Sequence, residues 1–305
     1  MSKKLVLISG PTASGKSSIA ISIAKKINGE IINADSMQIY KEFSILSSRP
    51  SKLELKKIKH HLYGFLSVEK YFSVGEWVKL VKKKVIECNK KNKIPILVGG
   101  TGLYFNAITN GISRIPGIDS KIRQSVRNLH KKIGQVSFYK RLISIDPLAK
   151  KKIQSADTQR AIRAYEVKVS TKKSLYEWSA NTQSDFLDYD IKKIFLNTPR
   201  DDLLKKISKR TKLMFKNKCV NEVKNFLKLN IDKSLSSNKL IGVKEISDYL
   251  SGVSTLEQTQ ELINVKTRQY AKRQLTWSRG HMKIWNKLYS KDLSILTKKI
   301  LKVVS

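Results

Sequence analysis

Eight consecutive residues, Gly10-Pro11-Thr12-Ala13-Ser14-Gly15-Lys16-Ser17, fit the spacing G-x-x-x-x-G-K-[ST]. A loop of this kind aims its backbone amides at an anion, at the positive end of the helix that follows. Lys16 can reach terminal phosphates, and the Ser17 hydroxyl can ligate Mg²⁺. The chemistry implied is the binding of a diphosphate; nothing in the loop specifies ATP. A second reactive group, Asp35, comes directly after the short apolar stretch 30–33. In open parallel sheets, ligands sit at the carboxyl ends of strands, so Asp35 is expected to face the phosphates. A helix-cap or turn aspartate is the alternative. A second glycine-rich turn, Gly99-Gly100-Thr101-Gly102, follows the apolar run Ile94-Pro95-Ile96-Leu97-Val98. Close approach of backbone to a ligand is its expected use. No aspartate ends that run, so the acidic residue that serves metal and water in ATPases is missing there. His60-His61 has no third ligand at useful spacing, and Cys88 and Cys219 offer neither a disulfide framework nor metal spacing.

The elements around these residues follow from periodicity. Residues 3–9 read as a buried strand, and 17–28 as a helix with apolar positions Ile19, Ala20, Ile23, Ala24 and Ile27, closed by Gly29 as its C′ residue. Residues 53–60 read as a basic helix, and 71–77 as a turn into a helix that runs to about Asn89. Strand, glycine-rich turn and helix recurring together imply an α/β fold with a parallel sheet. Past Arg114 the pattern changes. Ile115-Pro116-Gly117-Ile118-Asp119 is a break, residues 120–178 are helical and basic, 179–189 are polar and turn-like, and 191–196 read as a strand returning to the first domain. The expected organisation is a core of 1–114 and 184–305, with a helical C-terminal part, interrupted by an inserted helical domain at 115–183. Within the insert, Gln159, Arg160 and Arg163 fall within one helical turn of each other. Two arginines and an amide on one face suit phosphates and base edges; a solvated face is the alternative. Residues 201–214 form a helix carrying Arg210, residues 240–245 a glycine turn, and 255–279 a long basic helix. On that last helix Arg268, Lys272 and Arg279 interleave with Tyr270 and Trp277. The pattern fits stacking and phosphate contact, or equally core aromatics beside solvated cations.

The chain has 305 residues, 40% of them hydrophobic, enough for one large core or two. Its formal charge is +37, from 61 Lys and Arg against 24 Asp and Glu. Such an excess invites a polyanion, most simply nucleic acid; drift toward Lys, Asn and Ile across a proteome is the blander source. No run approaches membrane-spanning length, and the apolar start is too short for a signal peptide. With two unpaired cysteines, a reducing cytoplasm is the expected location.

Read together, the motifs resemble those of the tRNA dimethylallyltransferase family, also called IPP transferases. The matching stretches are GPTASGKS at 10–17, ADS-x-QIY at 34–40, HHL at 60–62, GGTGLYF at 99–105, DTQRAIRAYEV at 157–167 and TRQYAKRQLTW at 267–277, in family order. The chain departs from the family pattern at Met37, at Ser47 to Pro50, at Val243 and at Ser278. The resemblance implies a P-loop NTPase-like parallel sheet flanked by helices, with the insert as an all-helical tRNA-binding domain. It implies transfer of a dimethylallyl group from dimethylallyl diphosphate to N6 of adenosine 37, in tRNAs reading codons that begin with U. Asp35 would be the base, with Thr101 and Arg210 also catalytic. Residues 10–17 would hold the diphosphate, with Mg²⁺ on Ser17. Ser36, Met37, Gln38 and Thr101, together with Asp35, would hold the target base. Further tRNA contacts are implied at Arg123, at Gln159, Arg160, Ala161, Ile162 and Arg163, and at Leu240, Ile241, Gly242, Val243, Lys244 and Glu245. The implied partners are the anticodon stem-loop and the donor, met by a monomer. Two other classes share parts of this pattern. A small-molecule kinase has the same loop and an inserted lid, but consumes ATP. A nucleotide-gated RNA-binding protein leaves no covalent product.

Overall fold

The computed structural model describes residues 3–305. The chain runs β1 (Lys3–Ser9), α1 (Lys16–Lys26), β2 (Gly29–Asn33), α2 (Lys52–Lys57), β3 (His60–His61), α3 (Val74–Lys90), β4 (Ile94–Gly99) and α4 (Gly102–Asn110). It continues through α5 (Ser120–Ile145), α6 (Thr158–Thr171), α7 (Leu175–Ala180), β5 (Tyr189–Leu196), α8 (Arg200–Lys216) and α9 (Cys219–Lys228). It closes with α10 (Val243–Leu250), α11 (Leu256–His281), β6 (Asn286–Leu288) and α12 (Leu293–Val304). The six strands form one sheet in the order β3-β2-β4-β1-β5-β6. Every neighbouring pair is parallel. Leu5, Val6, Leu7 and Ile8 of the central β1 have no exposed surface. A continuous apolar run is what a strand covered on both faces requires. Val6 and Ile8 pack with Ile19, Ile23 and Ile300, so α1 and α12 cover one face.

The chain divides into two compact units. One runs to Ile108 and resumes over Phe186–Ser305; it holds the whole sheet. The other is Thr109–Asp185, in which α5, α6 and α7 pack around Phe138, Leu142, Ala161 and Ala164. Its limits lie outside the break at 115–119 because the incoming and outgoing chains are tied together. A Cβ on Gly111 would stand 2.2 Å from the Gln183 carbonyl oxygen, and Arg114 pairs with Asp185 at 3.1 Å.

Several element limits differ from the sequence reading, each for a local reason. Helix α1 stops at Lys26, and Asn28, not Gly29, takes the left-handed position (φ 55°). Gly29 already belongs to β2, where a Cβ would stand 2.7 Å from Ile96 Cδ1 on β4. Helix α2 ends at Lys57, and His60–His61 instead pairs with Ile31 and Ile32 as an edge strand. The helical run 120–178 is three helices and a 3₁₀ turn, and α5 itself is interrupted at Gly134 (φ 74°, ψ 168°). β6 interrupts the helical C-terminal part without a sequence signal, since three residues are too few to show a period, and α12 continues that helical part.

Candidate active site

The phosphate loop crosses from β1 to α1 over the end of the sheet. Gly15 (φ 90°) takes the left-handed turn that lets the helix start at Lys16, a conformation a side chain resists. The Lys16 ammonium donates to the carbonyls of Gly10 (2.9 Å) and Pro11 (2.7 Å), so it is folded back over the loop. Burial lowers its pKa to about 8; the nearby Asp35 charge opposes that shift and Arg210 adds to it. The Ser14 hydroxyl is buried and, among the described residues, has no hydrogen-bond partner, which fits contact with an anion oxygen. Arg210 on α8 reaches the loop and donates to the Thr12 hydroxyl at 2.7 Å. Two cations thus converge on the loop.

Asp35 stands at the end of β2 and is held by its neighbours. The side chain of Asn33, fully buried, accepts from the Asp35 amide (2.9 Å) and donates to the Asp35 carbonyl (2.9 Å). Asp35 Oδ1 accepts the Met37 amide at 2.9 Å. Thr101 fastens the same segment from the far turn, its hydroxyl accepting the Ser36 amide at 2.9 Å. Asp35 and the loop line one cavity of about 590 Å³, and Asp35 is the single carboxylate among its lining residues. Tyr63, Tyr104 and Tyr270 have phenols pushed well above their usual value, first by burial and then by the Asp35 charge. They remain protonated at neutral pH and can donate.

The cavity is also lined by apolar residues that pack on one another: Leu46, Met214, Leu240, Ile241 and Ile263. This places two residues expected to touch tRNA inside the phosphate cavity. Others of that group are consumed by structure. Val243 and Glu245 are buried, and the Glu245 carboxylate accepts the Gly242 amide at 2.7 Å and pairs with Lys266. Gly242 (φ 106°) makes the turn that starts α10, and Lys244 is occupied by Asp248 at 2.9 Å. Met37 and Gln38 line the cavity, but the Gln38 amide donates to the carbonyls of Ser47 (3.0 Å) and Ser48 (3.2 Å). Ser36 and Thr101 line a separate cavity of about 250 Å³, with Tyr270 and Arg273 lining both.

The second glycine-rich turn is tight against the chain itself, while Gly99, Gly100 and Gly102 also line the two cavities. A Cβ on Gly99 would stand 2.0 Å from the Ala34 carbonyl oxygen, and one on Gly102 2.4 Å from the Trp277 ring. Trp277 also stacks on His281 (4.3 Å, 4°), so its ring is engaged and is no stacking platform for a base. Positions 263, 267, 270, 274 and 277 of α11 all reach the two cavities. Their alternating spacing of four and three was legible as one helix face.

In the second unit, Arg123 lies on α5 and Gln159, Arg160 and Arg163 on α6. Ala161 is fully buried and Ile162 packs on the unit's core, so their side chains offer little to a partner. Arg160 is paired with Asp157 at 3.0 Å. Arg127 and Arg163 approach the buried Glu166 at 3.7 and 3.6 Å, and the Nε of Arg123 is buried without a hydrogen-bond partner. Arg163 is lowered by burial, with Glu166 opposing and Arg123 reinforcing the shift. More guanidinium charge gathers here than one carboxylate neutralises.

For Mg²⁺, the cavity offers hard oxygen donors, Ser17 and Asp35, and no imidazole or thiol, a set that fits this ion. Elsewhere among the described residues, Glu30, His61 and Cys88 bring metal-ligand types together, against the expectation from spacing. Hydrogen bonding accounts for them. His61 Nε2 donates to Glu30 at 2.6 Å and the Cys88 thiol to the same oxygen at 3.6 Å. Two ligands at zinc's bond lengths would stand about 3.3 Å apart in a tetrahedron, wider than the histidine–carboxylate contact.

A family model described as IPP transferase matches residues 38–281. A tRNA dimethylallyltransferase of Pelagibacter ubique is 53% identical over 299 residues, which is 98% of this chain and 96% of that protein. One of Rickettsia massiliae is 43% identical over 281 residues, 92% of this chain and 77% of its own. Among solved structures, the full-length tRNA isopentenylpyrophosphate transferase of Bacillus halodurans aligns with a TM-score of 0.69 at 31% identity, covering 99% of this chain and 97% of its own. A eukaryotic dimethylallyltransferase acting on tRNA aligns with a TM-score of 0.79 at 26% identity, over 91% of this chain and 70% of its own.

Proposed function

This chain belongs to the IPP transferase family, and from that premise we propose that it is a tRNA dimethylallyltransferase, transferring a dimethylallyl group from dimethylallyl diphosphate to N6 of adenosine 37 in tRNAs reading codons that begin with U. The observation that carries the reading is a cavity lined by two kinds of group. One is the phosphate loop with Lys16 and Arg210; the other is a packed apolar set of Met214, Leu240, Ile241 and Ile263. An allylic diphosphate has a part to match each. A nucleoside triphosphate would bring a polar base and ribose to those apolar side chains, at the cost of their hydrogen bonds.

In the reaction, N6 bonds to C1 of the prenyl group as the C1–oxygen bond breaks and diphosphate leaves. Asp35 accepts the proton that N6 gives up, and a positioned base of this kind contributes about 10²–10⁴ in rate. Lys16, Arg210 and the loop amides stabilise the charge that grows on the departing diphosphate. When bound at Ser17, Mg²⁺ supplies further charge neutralisation to the same group. An adenosine in a single-stranded loop leaves its stack cheaply, as a buried donor demands. Among the described residues no helix is long and apolar enough to cross a membrane; a tRNA substrate supports a cytoplasmic location. The test is to incubate the protein with dimethylallyl diphosphate and unmodified tRNA, digest the RNA and weigh its nucleosides. A five-carbon gain on one adenosine is expected; an unchanged nucleoside profile would overturn the reading.

A further inference from the structure

One side chain joins the two halves of the site. Gln274 Oε1 accepts the Thr12 amide of the phosphate loop at 2.8 Å, and Gln274 Nε2 donates to the Gly100 carbonyl of the second turn at 2.8 Å. These partners lie 262 and 174 residues away in sequence. The fit is close: a Cβ on Gly100 would stand 2.3 Å from Gln274 Nε2, so glycine is needed for the amide to reach the carbonyl. On the loop side Thr12 also takes the Arg210 guanidinium on its hydroxyl at 2.7 Å. On the other side, the residue after Gly100 is Thr101, whose hydroxyl holds the Ser36 amide beside Asp35 at 2.9 Å. A continuous hydrogen-bonded line therefore runs from the phosphate cation, through Thr12, Gln274 and the turn, to the segment that carries the base.

We propose that Gln274 is a positioning residue that sets the separation between the diphosphate cradle and the Asp35–Thr101 segment. This inference rests on the prenyl-transfer reading above. Its role suits glutamine in particular, because the two bonds need one acceptor and one donor at a fixed angle, which a planar amide supplies. Both bonds run between protein atoms, so the effect expected is on how the two substrates are aligned. A displacement of about 1 Å between reacting groups can cost around a hundredfold in rate.

Two variants test it. Gln274→Met keeps the length and removes both bonds. Gln274→Glu keeps the acceptor for Thr12 but sets an oxygen against the Gly100 carbonyl. Both should lower the single-turnover prenylation rate by about 10–100-fold. Their dissociation constants for donor and tRNA should stay within a few-fold of the parent, and Tm within a few degrees. Amide exchange at Thr12, followed in the same proteins, should quicken in Gln274→Met and stay slow in Gln274→Glu. Parental rates in both variants would overturn the proposal. So would a rate loss matched by equal losses of both affinities and of Tm, since that describes a merely structural residue. A parent protein that fails to prenylate tRNA would remove the reading beneath the proposal, whereas unchanged Thr12 exchange in Gln274→Met would dismiss the bridge itself.

Discussion

At the scale of single residues, the site assigns separate tasks to two opposite charges that share one cavity. Asp35 is fixed by Asn33 and the Met37 amide, so Asp35→Asn should keep the shape of the strand end. An amide cannot take a full proton at neutral pH. We expect single-turnover prenylation to fall by about 10²–10⁴ while both dissociation constants stay within a few-fold. A near-parental rate at saturating substrates would mean that the proton leaves by another route. Lys16 makes a prediction in pH. Burial brings its pKa down to about 8, so below that pH the ammonium is already present in the free enzyme. Above it, donor binding must first take up a proton. Donor affinity should therefore be full below pH 8 and fall up to about tenfold per unit above it. Lys16→Arg should remove the inflection, because guanidinium stays charged throughout. Isothermal titration with dimethylallyl diphosphate across pH 7–10 reads this directly; a flat profile in the parent protein would contradict it.

At the scale of elements, pairing across the sheet edge and across α5 and α6 carries two further expectations. Burial alone would raise the Glu30 carboxyl, but the hydrogen bond and charge of His61, with Lys59 and the Cys88 thiol, hold it below its usual value. A depressed carboxylate contributes stability above its unfolded pKa, about 4.3, and loses that contribution as pH falls through the folded value. Urea midpoints measured from pH 6 to 3 should drop less steeply in Glu30→Gln than in the parent; parallel curves would show that the contact carries no pH-dependent stability. In the second unit, Arg163→Ala should weaken tRNA binding and reduce the log–log salt slope by about 1, as expected for one lost phosphate contact. An unchanged slope would mark the cluster around Glu166 as structural. Much of this was legible beforehand. The phosphate loop, Asp35 and the strands on either side are local patterns, and they appear where spacing put them. Elements that depend on distant partners were not legible. The edge strand at His60–His61 exists because β2 is there to pair with it. Gly99 and Gly102 are small because Ala34 and Trp277 stand against them. Val243 and Glu245 looked available in sequence and are buried, because the α10 terminus turns inward at Gly242. Nothing in the sequence around Gln274 announces its two partners.

At the scale of the whole molecule, a charge of +37 meets a substrate that is a polyanion. Association should be fast and steeply salt-dependent, each phosphate neutralised adding about 0.9 to the slope on duplex and about 0.7 on single strand. On the proposed reading, donor binding draws on Lys16 and Arg210 within the cavity instead, and should respond far less to salt. On that reading the molecule divides its work between a surface that gathers RNA by charge and a cavity that takes the donor. That division also separates it from a kinase with the same loop, since β4 ends in Gly99 and supplies no acidic residue for an ATP-bound metal. The stoichiometry of one reaction, with dimethylallyl diphosphate, ATP, Mg²⁺ and unmodified tRNA all present, tests this most directly. We expect one diphosphate released for each adenosine that gains a five-carbon group on N6, with ATP left intact. ATP consumed in step with product, or diphosphate released with no modified adenosine, would contradict it.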